Sequence, residues 1–224
     1  MAGLPTNSKM LEQQHLQQKQ RADALKHFGQ LFNLRQSGHS TQASAHWQQV
    51  LQLGFPSFKH EDWKYTPLER LLVNNFSFAS PAQVTASQRD ELSLVQDAHR
   101  LVFIDGRYAP ELSDIECGPY QLTNLSGNTQ FPPAIQSEVF LHLTESLAQE
   151  SLHIRLPVGK HSEKPLYLLH ISSGNDSDVV NTSHYRHHLV IEANAQAEVI
   201  EHFVSLNQQP HFTGARLTIA VGDN

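Results

Sequence analysis

Histidine is the residue type best placed to do chemistry in this sequence. Fifteen are present, and five of them, His184, His187, His188, His202 and His211, fall in one C-terminal stretch. Imidazoles gathered on strands are common ligands of zinc or iron, as in a jelly-roll metal site. Alternation works against a local site, because on an extended chain His184 and His188 share one face while His187 points to the other. A site therefore has to be assembled across neighbouring strands, with His184, His188 and His202 as its candidates. The competing reading, which the sequence favours, is of surface and partly buried histidines that hydrogen-bond between strands. A second set, Glu138, His142 and Glu145, recurs at i, i+4 and i+7 of a helical pattern, a spacing able to hold one metal ion. The outward polar face of a surface helix yields the same pattern, and nothing else in the sequence completes a coordination shell. Cys117 is the single cysteine. It lies beside Glu116 with no basic neighbour to favour the thiolate, which argues against a nucleophile. No Gly-rich phosphate loop, Gly-x-Ser-x-Gly elbow, His-Glu-x-x-His motif or convincing carboxylate pair occurs. No catalytic, cofactor-binding or metal residue is assigned, no cofactor is expected, and the chain is read as a non-enzyme.

The elements that would position these residues are mainly strands. Residues 183–191, 198–206 and 215–221 form three β-like runs separated by turn signals at 193–195 and 207–214. In the first, Tyr185, His187, Leu189 and Ile191 oppose His184, Arg186, His188 and Glu192, so one face is built for burial. In the third, Ala215, Leu217, Ile219 and Val221 oppose Arg216, Thr218 and Ala220. The middle run has apolar side chains on both faces. Strand centres recurring every 14 residues or so suit a stacked or meandering β domain, and a Greek-key sandwich would read much the same. Earlier, Leu101–Ile104, Asp105-Gly106 and Arg107-Tyr108 read as a hairpin around a type I′ turn. Residues 166–171 read as a strand buried on both faces, and residues 113–131 as irregular.

Helices are expected over residues 22–34, with the first twenty residues mobile, over the Ala43, Trp47, Val50 and Leu51 stripe ending at Gly54, over 87–94, and from Pro132 to Gln149 on Ile135, Val139, Phe140, Leu143 and Leu147. Residues 61–65 read as extended, with Trp63 and Tyr65 on one side. Thr66, Pro67 and Glu69 suggest a capping box opening a helix from 67 to 73. The change from helices to strands places a domain boundary near residue 150.

Composition narrows the class. With 16 basic and 22 acidic residues the formal net charge is −6, and no basic run offers a nucleic-acid footprint. A single cysteine excludes a disulfide framework within one chain and fits a reducing, cytoplasmic home. The first ten residues lead into glutamines rather than an apolar segment, so no signal peptide is read there. No apolar stretch is long enough to span a membrane as a helix.

The segment His60-Glu61-Asp62-Trp63-Lys64-Tyr65-Thr66 resembles the Glu-x-Trp-[Lys/Arg]-Tyr-Thr signature of the SufB/SufD family of iron–sulfur cluster assembly proteins. Residues 101–108, 138–148, 181–188 and 199–206 are also similar to that family, on its SufD side, so the likeness covers the chain from about residue 55 to 221. It implies an α+β, mainly β fold: a helical N-terminal domain with a hairpin over residues 1–150, then the first coils of a right-handed parallel β-helix over 151–224. It implies a cytoplasmic scaffold subunit of the SufBCD complex that binds SufB and SufC. Trp63 and Tyr65, two large aromatics beside a helix start, are read as an architectural clamp, with an exposed binding hot spot as the competing reading. Family members continue through further coils, so the apolar strand at 215–221 is expected to be covered by more chain or by a second copy, as in a homodimer. The alternatives are a metal-dependent, histidine-rich β domain using His184, His188 and His202, and a plain interaction module.

Overall fold

A computed structural model describes residues 7–34, 40–80, 82–94, 96–114, 116–125, 132–133, 136–175 and 178–223, with side chains from residue 11 onward. The fold is α+β, with five helices and two sheets among the described residues.

Helix α1 runs Asn7–Asn33, well before the expected start at residue 22. Glutamine, lysine and alanine favour the helix, and with no proline or glycine between residues 7 and 28 it extends beyond its own apolar stripe. That stripe, Ala24, Phe28, Leu31 and Phe32, is buried. Helix α2, Thr41–Leu53, starts where Ser40 Oγ accepts the Ala43 amide at 3.0 Å and stops at Gly54, whose φ of 62° suits glycine. Ala43, Trp47 and Val50 are buried, and Trp47 stacks on Phe32 with centroids 5.3 Å apart. Leu51, expected on that stripe, is exposed. Residues 35–39, between the two helices, lie outside the described residues.

The family signature is not extended. Glu61–Trp63 is a 3-10 turn, and amides continue to bond three residues back, Trp63 to His60 O at 3.0 Å and Thr66 to Trp63 O at 3.1 Å. The curl sends Trp63 inward and leaves Tyr65 86% exposed. It also occupies the Thr66 amide, so the expected capping box does not form and α3 is a single turn, Glu69–Leu72. A capping box does form at Thr85 and Gln88, opening α4, Ala86–Leu92.

Strand β1 spans Asn75–Phe78, β2 His99–Ile104 and β3 Arg107–Tyr108. Asp105 and Gly106, at φ 48° and 79°, make the type I′ turn of the β2–β3 hairpin. The stretch read as irregular contains β4, Gln121–Asn124, antiparallel to β5, Ser151–Leu156. Helix α5 is shorter than expected, Val139–Leu147, because Glu138 stays extended and caps it, its Oε2 accepting the amides of Phe140 and Leu141 at 2.9 and 3.0 Å. Ile135 lies outside the described residues.

The remaining strands are β6 (Leu166–Ser172), β7 (Val179–Ile191), β8 (Val199–Ser205) and β9 (His211–Val221). From β5 onward the chain alternates between the sheets: β5, β7 and β9 stack in parallel in one, β6 and β8 in the other. Ser151 pairs with Arg186 and Arg186 with Arg216, advances of 35 and 30 residues, and Leu166 pairs with Val199, an advance of 33. Earlier strands fill out both sheets, β2 beside β6, and β1 end to end with β5 along the same edge of β7.

Three apolar layers follow from this order. Leu101, Phe103, Leu152, Ile154, Leu156, Leu166, Leu168 and Leu189 fill the space between the sheets. Tyr167, Leu169 and Ile171 face outward under residues near α4, so β6 is buried on both faces as expected. On the outer face of the first sheet, α1, α2 and α5 pack Phe28, Trp47, Val50, Leu143 and Leu147 over Phe76 and Val180. That cover corrects the one-faced reading of β7: His184 and Arg186, expected on its open face, are also buried.

At Gly214 of β9 this packing leaves no room for a side chain. A Cβ there would strike His184 Nδ1 and Thr144 Oγ1, both on buried side chains. Gly214→Ala should therefore cost about 1–3 kcal/mol as an overpacking change. A urea midpoint equal to that of the parent would show that α5 and β9 have slack between them.

Candidate functional site: a charged joint between helices and sheet

Arg186 and Arg216 are direct register partners on β7 and β9. Adjacent strands lie about 4.8 Å apart, so two cations set side by side need an anion. Glu145 of α5, only 2% exposed, supplies it. Arg186 Nη1 donates to Glu145 Oε2 at 2.8 Å, and Arg216 Nη1 donates to Oε1 of the same carboxylate. Arg216 Nη2 also donates to the Pro132 carbonyl at 2.7 Å. A carboxylate shared by two guanidinium groups fixes α5 on the strands in angle as well as in distance.

Helix α2 joins through histidine. His46 Nε2 lies 3.9 Å from Glu145 Oε2, and His46 Nδ1 meets His142 Nδ1 at 2.7 Å, so one ring donates and the other accepts. His142 Nε2 reaches Ser137 Oγ at 2.8 Å. Burial holds both imidazoles below their ordinary 6.5, outweighing Glu145, which raises both, and Glu138, which raises His142. Both rings are neutral at pH 7, the state that lets one accept from the other. Thus the set Glu138, His142 and Glu145 is not the outward face of a surface helix. Glu138 caps the helix, His142 ties it to α2, and Glu145 holds the arginines.

The histidines proposed as metal ligands do not converge. His184, buried under α5, has Nε2 2.9 Å from Thr182 Oγ1, and His188 Nδ1 lies 2.6 Å from Thr218 Oγ1. His202 is on the other sheet, where its Nδ1 meets the Tyr167 hydroxyl at 2.7 Å. Among the described residues, no group of three or more His, Cys, Asp or Glu is placed to hold a metal ion. Cys117 is buried, and its thiol is pushed up by burial and then by Asp114.

The space between the sheets carries an aromatic ladder that strand reading alone did not reveal. Phe103, His170 and Phe203 are register partners on β2, β6 and β8, with successive centroids 4.8 Å apart. Tyr185 stacks on His170 at 4.6 Å, and His187 lies against Phe103 at 4.4 Å. His170 Nε2 lies 3.1 Å from Glu201 Oε1. At one end of the ladder Phe203, Ile219 and Val221 are exposed by 48%, 54% and 65%, so β8 and β9 present an apolar edge.

The two signature aromatics separate in role. Trp63 is half-buried against Phe140, centroids 5.1 Å apart, whereas Tyr65 projects into solvent with Lys64 Nζ 5.2 Å from its ring centroid. Trp63→Ala should cost roughly 2 kcal/mol, less than a fully buried indole. Tyr65→Ala should stay within about 0.5 kcal/mol. Equal losses measured by chemical denaturation would contradict this division.

Taken together, these groups hold elements in place; none is arranged as a nucleophile with its base. No helix is long and apolar enough to cross a membrane among the described residues. No protein-family model matches the chain. Over its whole length it is 49% identical to a protein of Escherichia coli (strain K12) described as iron–sulfur cluster assembly protein SufD, of which it covers 50%. Over 77% of its length it is 27% identical to an iron–sulfur cluster assembly SufBD family protein of a Synechocystis strain, of which it covers 42%. The chain spans about half the length of the curated relatives it matches.

Proposed function

We propose that this chain is a member of the SufB/SufD family of iron–sulfur cluster assembly proteins and serves as a scaffold of the SufBCD complex, binding SufB and SufC without catalysing a step itself. The observation that carries this reading is the 49% identity to SufD along the whole chain. The joint around Glu145 supports it physically, because a scaffold must hold its parts at fixed angles, and a shared, buried carboxylate does that. The cytoplasm is the compartment that follows from the same membership. Iron and sulfide are cargo in this reading, not resident cofactors.

In the same proposal the alternating sheets are the first coils of a right-handed parallel β-helix. Support comes from the alternation of β5 to β9 between two parallel stacks and from advances of 30 to 35 residues per turn. The right hand follows from the general handedness of parallel crossovers. Residues 1–150 form the mainly helical part and 151–224 the coil part, with β1 and β2 contributed across that division. The exposed edge of β8 and β9 is the surface on which further coils or a second copy would pair.

Co-expression of the tagged chain with SufB and SufC from one source tests the reading. Retention of SufB through size-exclusion chromatography is the expected result. Elution of the folded chain alone, with neither subunit, would leave only a general interaction module.

A further inference from the structure

We propose that the groove between α1 and residues 57–69 binds a short, acidic, extended segment of a partner protein. The groove is made of two adjoining hollows of about 350 and 190 Å3 that share Gln14, Gln17 and Phe58. Its wall on α1 runs from Gln13 to Arg21, about 12 Å at 1.5 Å per residue. That length accommodates roughly four residues of extended peptide at 3.3 Å each.

The lining says what kind of segment fits. Phe58, 46% exposed, gives an apolar floor for one side chain, and Tyr65, adjacent to Lys64 of the lining, stands free in solvent. The α1 glutamines offer amide donors and acceptors, which can bond a peptide backbone without a charge having to be desolvated. Arg21, Lys59 and Lys64 face a single acid, Glu69, so the lining carries 3 − 1 = +2. The chain as a whole carries −6. A local cationic groove on an acidic protein selects acidic partners by complementarity and steers their approach. A peptide is favoured over a nucleic acid, because a polyphosphate would meet the repulsion of the whole chain along its length.

The inference is independent of the scaffold reading and is tested on this chain alone. A random-sequence peptide library is selected on the wild type and on the Arg21→Glu/Lys59→Glu/Lys64→Glu variant, whose surface substitutions leave the core untouched. The expected winners carry Asp and Glu around one aromatic or leucine. A fluorescent copy of the best peptide should bind the variant at least tenfold more weakly, with the difference shrinking as salt is raised. Phe58→Ser should weaken the same peptide without changing its salt dependence. The inference is overturned by winners with no acidic enrichment or by equal binding to the charge-reversed variant. Tighter binding of a single-stranded oligonucleotide than of any selected peptide would also overturn it.

Discussion

Glu145→Gln should destabilise the chain by about 3–5 kcal/mol, the usual cost of removing one partner from a buried ionic group. The amide keeps the volume of the carboxylate but not its charge. Arg186 and Arg216, register partners on adjacent strands, then face each other without the anion that lies between α5 and the sheet. Their side chains are only 7% and 11% exposed, so water cannot take over the role of the carboxylate at low cost. Replacing all three residues together, Glu145→Leu with Arg186→Met and Arg216→Met, should recover much of the loss, since an apolar triad of similar volume is often neutral or better. Urea unfolding at pH 7.5 compares the variants. A loss below 1 kcal/mol for Glu145→Gln would mean that the joint holds nothing in place.

Acid should weaken the fold from about pH 6.5 downward. Burial pushes His184 and His187 down to about 3, so both are neutral when folded across the range in which the unfolded chain takes up protons. Because the folded pKa values lie below the unfolded value of 6.5, this contribution is complete well above pH 6.5. It shrinks as pH falls towards 3. Between pH 7.5 and 5.5 each of these two histidines removes about 1.4 kcal/mol, close to 3 kcal/mol together. His187 illustrates the cause: its Nδ1 accepts the Leu152 amide at 3.2 Å, so a second proton has to break a strand contact within the aromatic ladder. His46, His142 and His170, all held low by burial, add in the same direction. Denaturant midpoints at the two pH values, at constant ionic strength, measure the effect. Equal midpoints would mean that these rings are not neutral inside the folded chain.

Much of the strand content was legible in the residues. Alternation in β5, the two-faced apolar run of β6 and the Asp-Gly turn of the β2–β3 hairpin each have local causes that a sequence displays, whereas β7 and β9 were legible as strands but not in their burial, β7 being covered on both faces and Ile219 and Val221 of β9 standing exposed. The resemblance to the SufB/SufD family was legible too, in the segment around Trp63 and in four other stretches. Glu145 was not. On a helical projection it lies opposite the apolar stripe of α5, and only the pairing of Arg186 with Arg216, thirty residues apart, makes that side a buried one. Long-range register of this kind leaves no local trace. The histidines misled for a related reason: His184 and His202 are close in sequence, but one turns its ring to α5 and the other to Tyr167 on the second sheet. The extended reading of residues 61–65 failed because backbone bonds three residues apart outweighed the alternation of side chains. Propensity, rather than an apolar stripe, extends α1 to residue 7.

The helical layer and the strand stacks form one frame joined at Glu145. Native-state amide exchange on the wild type and on Glu145→Gln would show whether that joint carries the frame. In the wild type, α2 and α5 should be protected together with β7 and β9. In the variant their amides should exchange much faster, while β6, buried on both faces, keeps its protection. Unchanged protection of α2 and α5 in the variant would contradict the claim, and so would loss of protection spread evenly over every element.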